Sequence, residues 1–258
     1  MKHIAARDTT SIRVLVVLSP HLDDAVLSVG ATLHSHVRRG VDVRVVTVLA
    51  NDPDALGGAG SWDAACGFPT AAEAARRRRD EDRRACAVLG ASPRWFPYGD
   101  ATYARGASDE AIWHALRHAL GDADLLLTPG FPLVHPDHRW LTDLIVRRRR
   151  ELSCRLCFYA EQPYSAGSLL AARTGTSTMG TVMFLRALAA PERVPAFQPA
   201  RNEIRVAWKR VASSPGDRVA KLKAILSYRT QLRPLGLTKL AGAQIEELVR
   251  KGELIGWT

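Results

Sequence analysis

The feature that most limits the fold of this chain is a strand–helix–strand pattern within residues 12–49. Residues 12–18 form a short apolar run bounded by polar residues, which is typical of a buried strand. Residues 26–37 repeat apolar side chains at helical spacing, and residues 41–49 form a second, valine-rich run. Such a unit joins two parallel strands through a helix, and parallel strands with helical crossovers define the α/β class.

The same alternation of strands and helices continues along the chain. We predict a Rossmann-like α/β fold with a mostly parallel sheet and helices on both faces. The predicted strands cover residues 94–98, 124–128 and 155–159, and the predicted helices cover 71–89, 108–120 with Ser108 as its cap, and 136–150. The glycine- and proline-rich residues 51–70 predict a binding loop, residues 165–200 predict irregular structure, and helical periodicity returns at 219–226 and 245–249.

Length and composition favour one globular domain. The chain has 258 residues, of which 47% are hydrophobic, and this is enough to bury a full core. We expect a single domain over residues 1–258, with a core at 12–160 and a C-terminal part at 161–258 that completes the pocket and packs helices. Charges interrupt the longest apolar stretches, and the N-terminus lacks the pattern of a signal peptide. We therefore expect a cytoplasmic protein without an integral membrane segment.

Charge and cysteine content bear on the partners of the protein. The formal net charge of +10 permits acidic partners, but the arginine runs at 76–79 and 147–150 adjoin acidic residues and lack interleaved aromatics. We interpret both runs as solvated helix faces and expect no nucleic-acid partner. Cys154 and Cys157 form a CxxC pair, but a structural zinc site needs a second pair, so buried thiols are the better interpretation. The oligomeric state stays open, a homo-oligomer included.

Two short motifs with metal-binding side chains follow predicted strands. His21, Asp23 and Asp24 stand between the first strand and the first helix, and His135 and His138 stand after strand 124–128. Residues one helical turn apart can point to one side, and the carboxyl ends of parallel strands meet at the edge of the sheet where ligands bind. His, Asp and His ligands with open positions for water and substrate are typical of a catalytic zinc site.

The chain resembles the LmbE-like, or PIG-L-type, zinc-dependent de-N-acetylases. The family pattern PHPDDE corresponds to residues 20–25, where Leu22 replaces the usual proline and Ala25 the usual acid, and the family's HPDH is present unchanged at residues 135–138. Weaker matches are Arg78-x-x-Glu81, residues 159–164 and residues 223–231. The resemblance spans residues 12–235. It implies an enzyme that removes an N-acetyl or other N-acyl group from an amino sugar in a glycoside or glycoconjugate, as in antibiotic or thiol-cofactor biosynthesis.

The resemblance also implies roles for individual residues. Zinc would be bound by His21, Asp24 and His138, with Asp23 as the general base on the zinc-bound water. His135 would stabilise the oxyanion or protonate the departing amine. Weaker implied substrate-binding residues are Arg78, Asp100 and Tyr164. Another divalent ion such as Fe²⁺ stays open, because a His₂Asp site does not fix the metal.

Two other functions fit parts of the sequence. His21-Leu22-Asp23 with a distant histidine matches the facial triad of a non-haem Fe(II) oxygenase, but this leaves Asp24 without a role, and those enzymes use an all-β fold. A basic protein that binds nucleic acid or a partner without catalysis is the second alternative, and the intact ligand positions argue against it. His114 and His118 have ligand spacing as well, but a solvated helix face is the better interpretation because no third ligand is near.

Overall fold

A computed structural model of the chain describes residues 12–133, 135–162, 204, 206–232, 234–235, 249 and 252–258. The strands in these ranges are β1 (Val14–Ser19), β2 (Asp42–Thr47), β3 (Ser92–Trp95), β4 (Leu125–Phe131), β5 (Arg155–Ala160), β6 (Ala207–Val211) and β7 (Glu253–Trp257). The helices are α1 (Asp24–Val37), α2 (Ser61–Ala65), α3 (Ala71–Leu89), α4 (Asp109–Leu120), α5 (Pro136–Arg148), α6 (Pro215–Ile225) and α7 (Arg229–Leu232).

The strands form one sheet in the order β3-β2-β1-β4-β5-β7-β6. The first five strands in this order are parallel to one another, and β7 pairs antiparallel with both β5 and β6. The predicted α/β fold with a mostly parallel sheet is therefore confirmed. The order reverses between β1 and β4, so the connections of these two strands lead away in opposite directions and leave a crevice at their carboxyl ends.

Helices cover both faces of the sheet, and the alternation of side chains along β1 separates the two layers. Val16 and Leu18 pack with residues of α4 and α5, whereas Leu15 and Val17 pack with residues of α1, α3 and α6. All four side chains are fully buried, as expected for a central parallel strand that is covered on both sides.

Local capping explains where the helices begin and end. Thr70 accepts a hydrogen bond from the backbone N–H of Glu73 at the start of α3, and Gly90 ends that helix in a left-handed conformation with φ 71°. Ser108 accepts from the backbone N–H of Ala111 and caps α4, as predicted. Ser108 is therefore a helix-start signal that the sequence itself carries.

Several elements differ from the sequence-based prediction. Residues 51–70 contain the short helix α2, which the prediction of a loop missed. The third strand covers Ser92–Trp95 instead of 94–98, and α5 ends at Arg148 before a 3-10 turn over Arg149–Glu151. The antiparallel strands β6 and β7 were not predicted, because both are short and only partly apolar. The predictions for residues 165–200 fall outside the described residues, and so does nearly all of 245–249.

The cysteines of the CxxC pair were predicted to be buried thiols. Cys157 is buried in β5 and Cys154 is half-buried, and neither forms a disulfide. Burial raises the pKa of the Cys157 thiol to about 11, so this side chain behaves as a core residue.

In the ranges described, helices that combine the length and the apolar character needed to cross a bilayer are absent.

A buried ion pair fastens α1 to the C-terminal part of the chain. Helix α1 has a kink at Val29, whose φ of −132° and ψ of 17° are not helical. The kink frees the N–H groups of Ala31 and Thr32, which donate to the two carboxylate oxygens of Glu253 at 3.0 and 2.7 Å. The ammonium of Lys221, itself 1% exposed, donates to the same carboxylate at 2.7 Å. Glu253 therefore caps the second half of α1 and neutralises a buried cation.

We predict that Glu253→Ala lowers the free energy of unfolding by about 3–5 kcal/mol, because it leaves the ammonium of Lys221 buried without a counter-charge. Urea unfolding followed by circular dichroism measures the loss. The double variant Lys221→Met with Glu253→Gln should recover part of it. Equal losses in the single and the double variant would contradict this explanation.

Candidate active site

The two predicted motifs meet at the crevice between β1 and β4. Ser19 ends β1 and leads directly into the turn that carries His21, Asp23 and Asp24. Phe131 ends β4 and leads to His135, which stands immediately before α5. Although 116 positions separate His21 from Asp137, their side chains are in contact, with Nε2 and Oδ2 3.1 Å apart. The parallel pairing of β1 with β4 produces this convergence.

Hydrogen bonds within the β1–α1 turn hold its side chains in place. The hydroxyl of Ser19 donates to the carbonyl of His21 at 2.6 Å and accepts from the N–H of Ala25 at 3.0 Å. The carboxylate of Asp24 accepts from the N–H of His21 at 2.8 Å. Asp24 and His21 are thus fixed relative to each other by the backbone, before any contact between their side chains is considered.

Three donor atoms form a compact triangle at the centre of the site. His21 Nδ1 lies 3.3 Å from Asp24 Oδ2 and 3.2 Å from His138 Nε2, and His138 Nε2 lies 3.1 Å from Asp24 Oδ2. The side chains of these residues are 14%, 10% and 1% exposed. His135 lies beside the triangle. One nitrogen atom each from His21, His135 and His138 lies within 4.8 Å of the other two.

A carboxylate supports each of the two histidines in the triangle from the far side of the ring. His21 Nε2 contacts Asp137, and His138 Nδ1 contacts the buried Glu161 at the end of β5. These contacts fix which ring nitrogen of each histidine faces the centre of the site. Neither Asp137 nor Glu161 was predicted from the sequence to have a role. Asp137 lies inside the second motif and Glu161 lies within 159–164, so both positions carried a signal.

The two supporting carboxylates are themselves firmly held. Asp137 accepts from the guanidinium of Arg105 at 3.0 Å and from the N–H of Ala101 at 2.9 Å. Glu161 accepts from the N–H of Leu133 at 2.7 Å. The guanidinium of Arg105 also lies 3.8 Å from the ring centroid of Trp140. Segments that follow β3, β4 and β5 therefore all contribute to the orientation of the imidazoles.

His135 caps helix α5 with its own ring. Its Nδ1 accepts a hydrogen bond from the backbone N–H of Asp137 at 3.2 Å. A nitrogen that accepts a hydrogen bond carries no proton, so the neutral ring holds its proton on Nε2. Burial and the neighbouring imidazoles of His21 and His138 lower the pKa of His135, which also favours the neutral ring.

Asp23 has an unusual backbone and an unusual carboxyl group. Its φ of 146° lies in the left-handed region, which costs about 1–3 kcal/mol for a residue with a side chain. Burial and the adjacent carboxylate of Asp24 raise the pKa of Asp23 to about 7, against the opposing charge of Arg78. A carboxyl group with this pKa can accept and release a proton near neutral pH.

In the triangle, unlike at Asp23, the neighbouring groups favour the charged forms of the side chains. Burial opposes the charge of Asp24, but the imidazoles of His138 and His21 outweigh it and hold the pKa of Asp24 well below its usual range. Burial would lower the pKa of His21, but hydrogen bonds to Asp137 and Asp24 raise it. The carboxylates of Asp24 and Glu161 likewise raise the pKa of His138. The cluster therefore favours added positive charge at its centre.

The three predicted substrate-binding residues have different outcomes. Arg78 lines the cavity beside the triangle and pairs with the buried Asp63 at 3.2 Å. It is 5% exposed, so the interpretation of residues 76–79 as a wholly solvated face is wrong at this position. Asp100 also lines the cavity, and its carboxylate accepts from the N–H of Thr102 at 2.8 Å. Tyr164 lies outside the described residues.

The cavity also has an apolar part that the sequence analysis did not identify. Leu27, Trp62 and Leu235 line it together with the polar residues. Trp62 belongs to α2, in the segment 51–70 that was predicted to be a binding loop. The indole of Trp62 therefore gives that segment a specific contact with the site.

The structure also bears on features that the sequence analysis set aside. His114 and His118 are exposed on α4, as expected, and His114 pairs with Glu110 at 3.2 Å. The facial-triad alternative leaves Asp24 idle, whereas Asp24 Oδ2 contacts both imidazoles of the triangle. The fold is also α/β and not all-β. Both observations count against the oxygenase.

The donor set fits a divalent metal. In a tetrahedral zinc site with bonds of about 2.0–2.2 Å, neighbouring donor atoms lie roughly 3.3–3.5 Å apart. The three separations of 3.1–3.3 Å in the triangle are close to this. Two imidazole nitrogens and one carboxylate oxygen are also the ligand types that zinc and neighbouring transition metals prefer.

The fold and the cluster of imidazoles and carboxylates at its switch point define an α/β protein with a site of the kind that binds a divalent metal. The family model for GlcNAc-PI de-N-acetylase (PIG-L) matches residues 16–148, slightly more than half of the chain. The chain therefore belongs to the PIG-L family, as its two motifs predict.

Solved structures with similar folds include two deacetylases and a hydratase. The A40926 pseudoaglycone deacetylase is 28% identical, with a TM-score of 0.73 over 95% of this chain and 96% of its own. A deacetylase of the teicoplanin pathway, solved with teicoplanin, is 19% identical, with a TM-score of 0.68 over 95% and 97%. The 4-carboxy-2-hydroxymuconate hydratase of Pseudomonas putida is 16% identical, with a TM-score of 0.53 over 95% of each chain. A comparison with curated proteins found no match.

We predict that Asp23→Asn stabilises the chelator-treated protein by about 1–3 kcal/mol at pH 8, because it removes a desolvated charge. The pKa of Asp23 is higher in the folded protein than in the unfolded chain, so this carboxyl group lowers stability increasingly as the pH rises from about 4 to about 7. The gain should therefore be smaller at pH 5. Urea unfolding at both pH values measures it.

The exposed carboxylate of Asp54 provides the matched control, since its side chain is 88% exposed. Asp54→Asn should change the free energy of unfolding little at either pH. An Asp23→Asn protein that is less stable than the parent at pH 8 would show that the carboxylate is not destabilising in the fold.

Proposed function

We propose that this protein is a metal-dependent amide hydrolase that removes an N-acetyl or other N-acyl group from an amino sugar in a glycoside or glycoconjugate. The observation that carries the proposal is the triangle of His21, Asp24 and His138 with a buried carboxyl group beside it, in a member of a de-N-acetylase family. Because a hydratase has a similar fold, the fold alone would leave the reaction open.

His21, Asp24 and His138 are the proposed metal ligands, and zinc is the proposed metal. Asp137 and Glu161 would hold the two imidazoles in the orientation that metal binding needs. The raised pKa values of His21 and His138 mean that protons compete for the same nitrogens, so metal affinity should increase with pH. A divalent metal at this position supplies Lewis-acid polarisation of the amide carbonyl and lowers the pKa of the attacking water.

Asp23 is the proposed general base. Its carboxylate would accept a proton from the water that attacks the amide carbon, and would then donate that proton to the amine nitrogen as the C–N bond breaks. The reaction then yields a carboxylate such as acetate and the free amine. Burial and the charge of Asp24 raise the pKa of Asp23, so its carboxyl group holds a proton more readily than an exposed carboxyl group does, as the second transfer requires. The charge of Arg78, which lines the cavity, limits the rise in the pKa of Asp23 and keeps part of the Asp23 population ionised.

His135 is proposed to stabilise the oxyanion. The capping hydrogen bond occupies Nδ1, so the proton of the neutral ring is on Nε2, where it can be donated to a developing negative charge. A general acid would have to be an imidazolium, and the capping bond from the N–H of Asp137 disfavours a second proton on Nδ1. The backbone of α5 therefore favours one of the two roles that the sequence left open.

The family and the cavity support the proposed substrate class. The family model is named for the de-N-acetylation of an N-acetylglucosamine conjugate, and two similar structures are the deacetylase of the antimicrobial A40926 pseudoaglycone and a deacetylase of teicoplanin biosynthesis. Arg78 and Asp100 are the proposed polar contacts for sugar hydroxyls. Glycosides in antibiotic biosynthesis are therefore the first candidates. The expectations of a cytoplasmic location and of no nucleic-acid partner stay predictions.

The proposed reaction is tested by acetate release from a panel of N-acetylglucosaminyl glycosides. Chelator-treated protein should be inactive, and added zinc should restore release. Asp23→Asn should keep the metal and lower kcat by about 100-fold or more, because it removes the base and not a ligand.

Asp80→Asn is the control, because this carboxylate lies on the outer side of α3 and pairs with Arg83. It should turn over at the parental rate. Full activity in Asp23→Asn would refute the general-base assignment, and zinc-independent release would refute the metal requirement.

The ligand set is tested by metal content after dialysis. His138→Ala and Asp24→Ala should both lower the zinc bound per protein. Glu161→Gln should retain zinc but bind it about 10–100-fold more weakly, because it alters the partner of a ligand. Competition with a chromophoric chelator measures the affinity.

His114→Ala removes an exposed histidine and should leave the metal content unchanged. Parental stoichiometry in both His138→Ala and Asp24→Ala would exclude this ligand set.

A further inference from the structure

Trp62 has a position that neither capping nor core packing explains. It is a large side chain that remains 36% exposed, and it lines the cavity that contains His21 and Asp23. Trp113, by contrast, belongs to the core and is fully buried. An exposed indole at a polar cavity is a surface that a ligand can cover.

Hydrogen bonds fix the indole before any ligand binds. Its Nε1–H donates to the side-chain oxygen of Gln231 at 2.8 Å, and Gln231 is completely buried. The amide nitrogen of Gln231 donates to the hydroxyl of Thr230 at 2.9 Å, which in turn donates to Glu81 on α3 at 2.7 Å. Because the N–H group of Trp62 is already engaged, the indole offers a ligand an apolar ring face.

Hydrogen bonds of its neighbouring residues also hold helix α2, which carries Trp62, in place. Asp63, the next residue, is buried and accepts from Arg78 at 3.2 Å and from the hydroxyl of Tyr103 at 2.9 Å. Tyr103 also accepts from the N–H of Gly60 at 2.6 Å. A Cβ atom at Gly60 would lie 2.3 Å from Cγ2 of Thr102, so only glycine allows this approach. Arg78 and Thr102 line the cavity themselves, so the same contacts position α2 and the polar wall.

The cavity is therefore amphipathic, and this property selects the kind of ligand. Carboxylates, imidazoles and a guanidinium line part of it, and Leu27, Trp62 and Leu235 line another part. A pyranose ring has the same character, because its hydroxyl groups project from the rim while its C–H bonds form apolar faces. The negative face of an indole attracts the weakly positive C–H bonds.

We propose that Trp62 is a specificity-determining residue whose indole face stacks on the pyranose ring of the amino sugar. The inference rests on the proposed function and adds the contact that distinguishes a cyclic sugar from other N-acylated amines. Because stacking is present in both the bound substrate and the transition state, it contributes to binding and not to the chemical step.

The test compares Trp62→Phe with Trp62→Leu. Both variants lose the N–H bond to Gln231, but only phenylalanine retains an aromatic face. Binding of the methyl glycoside of N-acetylglucosamine is measured by calorimetry in the zinc-loaded Asp23→Asn background, where turnover is slow. Trp62→Leu should raise Kd about tenfold, and Trp62→Phe should raise it about threefold or less. In the active background, KM should rise in the same order while kcat changes little.

Trp95→Phe is the matched control. Trp95 also donates its N–H to a buried acceptor, Asp82, at 2.7 Å, but it does not line the cavity. This variant should leave Kd and KM unchanged. Thermal unfolding and zinc content establish that each variant is folded and loaded.

Each outcome decides a separate point. Equal losses in Trp62→Phe and Trp62→Leu would show that the N–H bond supports the site and would overturn stacking. A penalty that grows from N-acetyl to N-hexanoyl glycosides would place the acyl group on the indole and would also overturn it. If active protein hydrolyses the glycoside and Trp62→Leu keeps its affinity, only the stacking fails. If the parent protein neither binds nor hydrolyses any amino-sugar glycoside, both the proposed function and the stacking are refuted.

Discussion

The pairing of β1 with β4 is the constraint on which the site depends. These two parallel strands are neighbours in the sheet although they are far apart in sequence, and both end at the same edge. The turn after β1 supplies His21 and Asp24, and the segment after β4 supplies His138. A shift of one residue in this register would exchange the faces of the sheet and separate the three donor atoms.

The site is assembled from groups that stabilise each other's charge, with one exception. Each imidazole of the triangle has a carboxylate behind it, and each of those carboxylates has backbone or guanidinium donors. Asp23 is the exception, because burial and a neighbouring negative charge disfavour its ionised form and its backbone is strained. Strain and desolvation at a single carboxyl group in such a network are typical of a residue with a chemical role.

Sequence patterns predicted the parts of this protein that local rules control. The alternation of strands and helices, the cap at Ser108, and the two motifs at strand ends were all visible in the residues. The supports were harder to predict. Glu161 and Asp137 stand within recognised segments, yet their contacts with imidazoles depend on the three-dimensional arrangement of strand ends. Trp62 belongs to a segment rich in glycine and proline, where five helical residues give too short a period to recognise.

The kink in α1 has a consequence for the order in which the chain can become functional. The helix that begins with Asp24 has two internal amides that donate to Glu253, more than 200 positions later. A nascent chain that has already made α1, β1 and β4 still lacks that acceptor, and the cation partner Lys221 is also made late. Synthesis from the N-terminus therefore produces His21, Asp24 and His138 well before the contacts of Glu253 that complete α1, so the site becomes fully supported only after translation reaches β7.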